Sequence, residues 1–275
     1  MNRYLKLVHM EIYRFRYMLA ILMGLTAVCQ IVGLVLYLNS EVQYRYSHFD
    51  KFGQWPDSNA MSFARALFGT QGWFAIPVVL CIAALILYAF LIWYRDWFGR
   101  STFIYRLLML PTARRHIYLA KLTALITFIF ALVGFQLVLL SLEKWIFAFT
   151  VPAELTEHSY IAEAIEANRV LATLLPRSFE QFMYAYGIGI MAVIVAFTAI
   201  LIERSFRLIG IVYAAFYVAA CLLAVVFPIY TFGIDRSNAY LYPEEVFGIE
   251  CLICILVISV SVWLGFRLLA KKITV

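Results

Sequence analysis

LTALITFIFALVGFQLVLLSL, residues 122–142, carries no formal charge and sets Leu, Ile, Val and Phe among only small or weakly polar residues. A hydrocarbon core of about 30 Å asks a helix for roughly 20 such residues, so this stretch reads as a transmembrane span. Five more runs of the same kind follow or precede it, at 18–38, 73–94, 184–202, 208–227 and 246–266, the last holding one acid, Glu250. Aromatic residues stand at many of their ends, among them Tyr17, Tyr37, Trp73, Trp93, Tyr94, Tyr118 and Trp145, where rings at headgroup depth are favoured. Composition agrees: 65% of the residues are hydrophobic and 14% charged, against roughly a quarter charged in soluble domains. The expectation is an all-α integral membrane protein, one transmembrane domain over 1–275 with six spans.

The first run is full length and follows an amphipathic segment, so it reads as a retained span rather than a cleaved signal, and no lipid anchor is indicated. That segment, residues 1–17, places Tyr4, Leu5, Val8, Ile12 and Phe15 on one stripe and Arg3, Lys6, Arg14 and Arg16 largely off it. Two readings stay open: an interfacial helix along the inner leaflet, or the charged start of the first span.

Orientation follows from Lys and Arg, whose excess marks the cytoplasmic side. One side of the six-span scheme collects Arg3, Lys6, Arg14 and Arg16; then Arg95, Arg100, Arg106, Arg114, Arg115 and Lys121; then Arg204 and Arg207; then Arg267, Lys271 and Lys272. Its only acids are Glu11, Asp96 and Glu203. Both termini are therefore expected in the cytoplasm of a multi-pass cell-membrane protein. The net charge of +6 clusters at span ends, which fits anionic lipid headgroups and argues against nucleic acid as a partner.

Two extracytoplasmic loops are expected, 39–72 and 143–183, the second with helical patterning over 161–175 that Pro176 would stop. The third outer connection ends in YPEEVFGIE, residues 242–250, and the apolar run from Cys251 to Phe266 is short for a full crossing. Either Glu250 lies about a turn inside the outer face, or residues 227–250 dip into the membrane as a re-entrant element, which needs protein or water around it. The five cysteines all fall inside expected spans and read as small apolar residues. For the C-x-x-C spacing of Cys251 and Cys254, packing is the favoured reading over metal or redox chemistry.

The most informative polar stretch is RDWFGRSTFIYRLLMLPTARRHIYLAKL, residues 95–122. Ser101 or Thr102 can cap a short helix, Pro111 ends it, and Thr112 can cap a second start. Phe103, Ile104, Leu107, Leu108 and Leu110 are too apolar for a solvated loop, so this cytoplasmic elbow should dock against the membrane surface or a soluble partner.

The run of an acid, Gly99, a Leu-rich helix, then L-P-x-x-R at Leu110, Pro111 and Arg114, with Lys121 opening the next span, resembles the second-to-third-helix connection of ABC-transporter permeases of the type-2 exporter class. The motif covers about thirty residues, while the topology matches over the whole chain. The chain differs from the family's usual Glu and Gly-Thr pair in carrying Asp96 and then Gly99-Arg100-Ser101. The resemblance implies six helices with both ends inside, an amphipathic N-terminal helix and re-entrant structure before the sixth span. It also implies that residues 95–117 form a coupling helix inserted into a separate ATPase, through Arg95, Asp96, Gly99, Arg106, Leu110, Pro111, Arg114 and Arg115. Glu203, Arg204 and Arg207 form a second inner loop that either adds a minor contact with the ATPase or makes a local ion pair.

The chain has no G-x-x-x-x-G-K-[ST] loop to cradle phosphates, so ATP and Mg would sit on partner ATPase subunits, two per complex. A second permease, identical or homologous, would complete the pathway. The implied activity is alternating-access export of a hydrophobic or amphipathic substrate, with peptides or antimicrobials as the family-level expectation. No catalytic or metal-ligating residue is assigned to this chain.

Within the spans, Thr26, Gln30, Thr127, Gln136 and Thr198 can bond across helices, and Glu250 is the costliest group to leave unpaired. Glu250, Gln136 and Gln30 are the candidate pathway or gate residues. Two rival functions remain. An intramembrane protease needs buried His or metal ligands, yet His9, His48, His116 and His158 all lie outside the spans and Glu244-Glu245 lacks its expected partners. An ATP-independent channel or secondary transporter would favour internal repeats and mid-membrane charge, of which only Glu250 is present.

Overall fold

A computed structural model describes residues 3–53, 60–98, 113–228 and 242–271 of the chain. The first helix, α1, runs from Arg3 to Phe52 and stops at Gly53, whose φ of 66° is the left-handed conformation that glycine adopts without steric cost. The Gly53 amide donates to the Phe49 carbonyl at 2.8 Å, closing the last turn. A two-residue strand β1 (Met61–Ser62) leads into α2 (Phe63–Gly69), where the Ser62 hydroxyl accepts from the Arg65 amide as N-cap. The long α3 (Gln71–Phe98) and α4 (Arg115–Thr150) follow. Short elements come next: β2 (Thr156–Glu157), α5 (Ile161–Ala167), α6 (Arg169–Leu174) and α7 (Phe179–Phe182). A π-turn over Met183–Gly187 then opens α8 (Ile188–Pro228), and α9 spans Pro243–Lys271.

Six of these helical stretches are long and apolar enough to cross a membrane: Tyr4–Phe52, Gln71–Trp97, Arg115–Thr150, Phe179–Phe206, Ile209–Pro228 and Glu244–Ala270. Five of the six expected spans lie inside them, and the fifth, 208–227, begins one residue before its helical stretch. Helical hydrogen bonding is unbroken from residue 3 through the first span, and the contour of α1, about 75 Å at 1.5 Å per residue, carries helix well into the segment expected as the first outer loop.

The fourth and fifth spans are the two arms of α8. Its helical hydrogen bonding is continuous, yet a Cβ placed on Gly210 would lie 2.5 Å from the carbonyl oxygen of Glu203. Seven residues of straight helix would separate those positions by about 10 Å, so the chain reverses direction between the arms. Only a residue without a side chain fits this close approach.

The sixth helix is continuous through Glu250. Its start is built from YPEE: Pro243 takes the first helical position, and the Glu245 carboxylate accepts from the Tyr242 amide at 2.9 Å, one half of a capping box. Residues 243–250 are thus helix and 227–228 end α8, while 229–241 of the segment with the re-entrant expectation lie outside the described residues. So do 99–112, the body of the expected coupling helix.

The chain divides into two compact units, passing from one to the other inside α1, α3 and α4 and again between Arg177 and Ser178. One comprises Phe15–Ala84 and Phe128–Arg177. Its core gathers Leu34 and Leu38 of α1, Met61, Phe63 and Leu67 around α2, Phe74 of α3, and Leu140 and Phe147 of α4. The strands pair in parallel, Met61 with Thr156 and Ser62 with Glu157. The helical stretch expected over 161–175 is two short helices split at Asn168, which is fully buried. Its side chain accepts from the Val170 and Leu171 amides and donates to the Leu67 carbonyl at 3.0 Å, capping α6 and tying it to α2.

The other unit comprises Met1–Arg14, Leu85–Thr127 and Ser178–Val275. Tyr118 of α4 packs edge-on against Phe197 of α8 and Phe266 of α9, with centroids 5.9 and 5.7 Å away, and Trp93 of α3 meets the same Phe197 ring. The Thr198 hydroxyl donates to the Ser261 carbonyl at 3.0 Å, and the Ser261 hydroxyl meets that of Tyr217 at 2.5 Å, stitching both arms of α8 to α9.

Candidate functional site

Charged side chains in the second unit concentrate where α1, α3 and α4 converge. Glu11, Asp96 and Lys121, one from each helix, are 2%, 1% and 1% exposed. An isolated buried charge is very costly, so burial requires partners. Lys121 Nζ donates to Glu11 Oε1 at 3.3 Å, to the Ile92 carbonyl at 2.8 Å, and to Asp96 Oδ2 in the closest contact of the set. These three bonds use all the donors of an ammonium, whose nitrogen also lies 5.1 Å from the centroid of the Trp93 ring. Arg14 reaches Asp96 Oδ1 at 3.2 Å and Glu11 Oε1 at 3.5 Å, and Arg95 donates to Glu11 Oε2 at 3.1 Å. Three cations and two carboxylates form one network, with the arginines at its more exposed edge.

This network brackets the elbow. Asp96 stands at the end of α3 and Lys121 in the second turn of α4. Arg114, one residue before α4, donates to the Leu269 carbonyl at 3.0 Å, satisfying a carbonyl at the C-terminus of α9 where positive charge is also favoured. Arg115 is exposed.

Of the residues expected at an ATPase contact, Arg95 and Asp96 are therefore in the ion network and Arg114 on the end of α9. Gly99, Arg106, Leu110 and Pro111 are among the residues not described. At the second inner loop the Glu203 carboxylate accepts from the Tyr94 hydroxyl at 2.5 Å. The Arg204 guanidinium lies 4.9 Å from the Tyr94 centroid and 3.8 Å from Glu203. This is the local ion pair, docked on the end of α3; the Arg207 side chain is not described.

Gln30 and Gln136 come together in the first unit. Their amides exchange two hydrogen bonds, 3.2 and 2.9 Å long, in full burial. Thr26 lies 3.6 Å from Cys81 Sγ across helices, whereas Thr127 bonds only its own helix at Thr123. Glu250, half-buried on α9, accepts from the Tyr184 hydroxyl at 2.5 Å and lines a cavity of about 60 Å³ beside the π-turn. The cysteines are free thiols, and among the described residues no three His, Cys, Asp or Glu side chains are grouped to hold a metal ion.

Two features escaped sequence reasoning. Glu11 and Lys121 were counted as orientation charges, although an acid on so basic a side was itself a sign of pairing. Glu143, in the stretch expected as an outer loop, is fully buried on α4, and neither carboxyl oxygen has a hydrogen-bond partner among the described residues.

No family model, curated protein or solved structure matches this chain. The functional reading therefore rests on the motif of residues 95–122 and on the geometry around it.

Proposed function

We propose that this chain is the membrane-spanning permease subunit of an ATP-driven exporter of the type-2 ABC class, with its termini and its 95–117 elbow in the cytoplasm of the cell membrane. Six apolar helices and the L-P-x-x-R elbow motif support the reading. The observation that carries it is the buried ion network at the two roots of the elbow. A coupling element passes force only if its ends are fixed to the helices that must move. Asp96 opens the elbow and Lys121 follows it in sequence, Lys121 bonding both Asp96 and Glu11 of α1, while Arg114 holds the end of α9. Displacement of the elbow by an ATPase would be transmitted to α1, α3, α4 and α9 together.

In this reading two ATPase subunits supply ATP and Mg chemistry, and a second permease, identical or homologous, completes the pathway. Only 6% of the most apolar window of the fifth span and 11% of that of the sixth are buried, against 39% for the fourth, leaving apolar faces for lipid and for that second permease. The cargo is hydrophobic or amphipathic, with peptides or antimicrobials as the class to test first. Glu250, Gln136 and Gln30 are the pathway or gate candidates, while Glu203 and Arg204 serve as a local ion pair docked on the end of α3.

The test is purification of the tagged chain from native membranes. An ATP-binding subunit should accompany it, with ATP hydrolysis stimulated by the permease, and charge reversal at Arg114 and Arg115 should weaken the association. Absence of any ATPase partner, or hydrolysis indifferent to the elbow, overturns the reading and returns the protease and channel alternatives.

A further inference from the structure

We propose that the cavity between the π-turn Met183–Gly187 and the first half of α9 binds an amphipathic cation, an amine head on an alkyl or aromatic tail, with Glu250 as its counter-charge. This deepens the exporter reading and rests on it only for the ligand's role as cargo.

The cavity walls are apolar, formed by Met183, Ile188, Val225, Phe247 and Ile258. The hollow lies where the π-turn widens the helix: Met183, Tyr184 and Gly187 of that turn all line it, and insertions of this kind recur at functional sites. Among the described residues, the Tyr184 hydroxyl donates to Glu250 and no Lys, Arg or His is found paired with it. A phenol hydrogen bond brings no positive charge, so this carboxyl group has no cationic partner among the described residues while it faces an apolar wall.

The surroundings reinforce that sign. Glu180 at α7 and Glu244 and Glu245 in the first turn of α9 are exposed acids, and the stretches 178–190, 221–228 and 242–258 contain no Lys or Arg. Among the described residues of these stretches the charge is of one sign, which concentrates counter-ions. An anionic or neutral lipid tail would fill the apolar wall but leave Glu250 unneutralised. A bare metal ion would find one carboxylate where hard cations take six or more oxygen ligands. An ammonium on an apolar tail satisfies both surfaces at once.

Cys251 and Cys254 line the same cavity and report on its occupancy. The full-length chain in phosphatidylcholine nanodiscs is alkylated with N-ethylmaleimide at neutral pH, and modification of each cysteine is followed by peptide mass spectrometry. Dodecylamine should slow alkylation of Cys251 and Cys254 about fivefold more than dodecanol of the same chain length, the effect of a single ion pair. Cys221, outside the cavity lining, should not respond. E250Q should abolish the preference for the amine and E250D should keep it, which separates loss of charge from loss of fold.

Equal protection by amine and alcohol, a preference that survives in E250Q, or no protection at all overturns the proposal. The measurement needs no ATPase. An amine-selective cavity in a chain that brings down no ATPase would sink the exporter reading and leave the binding site standing.

Discussion

Lys121→Met removes one charge from the buried network and keeps the length of the stem. In the native chain Lys121 is 1% exposed and its ammonium bonds Glu11, Asp96 and the Ile92 carbonyl. Breaking a buried ion pair by deleting one partner costs about 3–5 kcal/mol, because the remaining charge stays buried and uncompensated. Arg14 still reaches both carboxylates here, at 3.2 and 3.5 Å, and Arg95 reaches Glu11 at 3.1 Å. The expected loss is therefore about 3 kcal/mol, the low end of that range. It is read as a lowered thermal midpoint of the purified protein in detergent. Lys121→Met combined with Asp96→Asn should lose less than the sum of the two single variants, with a coupling energy of about 0.5–3 kcal/mol. A loss in Lys121→Met below about 1 kcal/mol, the size of a surface pair, or strict additivity in the double variant would show that these groups do not act as a unit. The mechanical reading of the elbow roots would fall with them.

Three further outcomes follow from the same physics. Gly210→Ala should lower the thermal midpoint by the equivalent of about 1–3 kcal/mol, an overpacking cost, since its Cβ would lie 2.5 Å from the Glu203 carbonyl; an unchanged midpoint would contradict a sharp reversal in α8. Gln30→Leu should cost about 1–3 kcal/mol by leaving the buried Gln136 amide without its partner, and adding Gln136→Leu should recover most of that loss; a double variant worse than the single would refute the pairing. Glu143→Leu should raise the midpoint, by about 1–3 kcal/mol of relieved desolvation, because both carboxyl oxygens lack partners among the described residues; a fall instead would reveal a partner elsewhere in the chain.

The six spans were legible because hydropathy in a membrane protein acts through local composition, and each run carries its own signal. The ends of the helices were not. Residues 39–52 are polar and aromatic and read as loop, yet α1 continues to Phe52 and is stopped by Gly53, the first residue at which the chain turns left-handed. The outer helical patch was expected as one piece to Pro176. Asn168 divides it by capping α6 and bonding α2, a tertiary choice that periodicity does not carry.

The candidate site divides in the same way. Gln30 and Gln136 could be named as a cross-helix pair because a polar amide in hydrocarbon has few ways to be satisfied, and each supplies both donors and an acceptor. Asp96 belongs to the elbow motif, where the resemblance implies a contact with a partner, and Lys121 reads from the sequence as the charge opening the next span. Their side chains instead turn into the bundle, because each supplies what the other and Glu11 need to be buried. Spacing along the chain gives no hint of this: Glu11 and Lys121 are separated by 110 positions. Under the proposed exporter function the motif marks where force would enter, and the residues that would transmit it are set by which charges the fold brings together. The loss of coupling in a Glu11 variant, distant in sequence from the elbow, would therefore be as informative as any substitution within it.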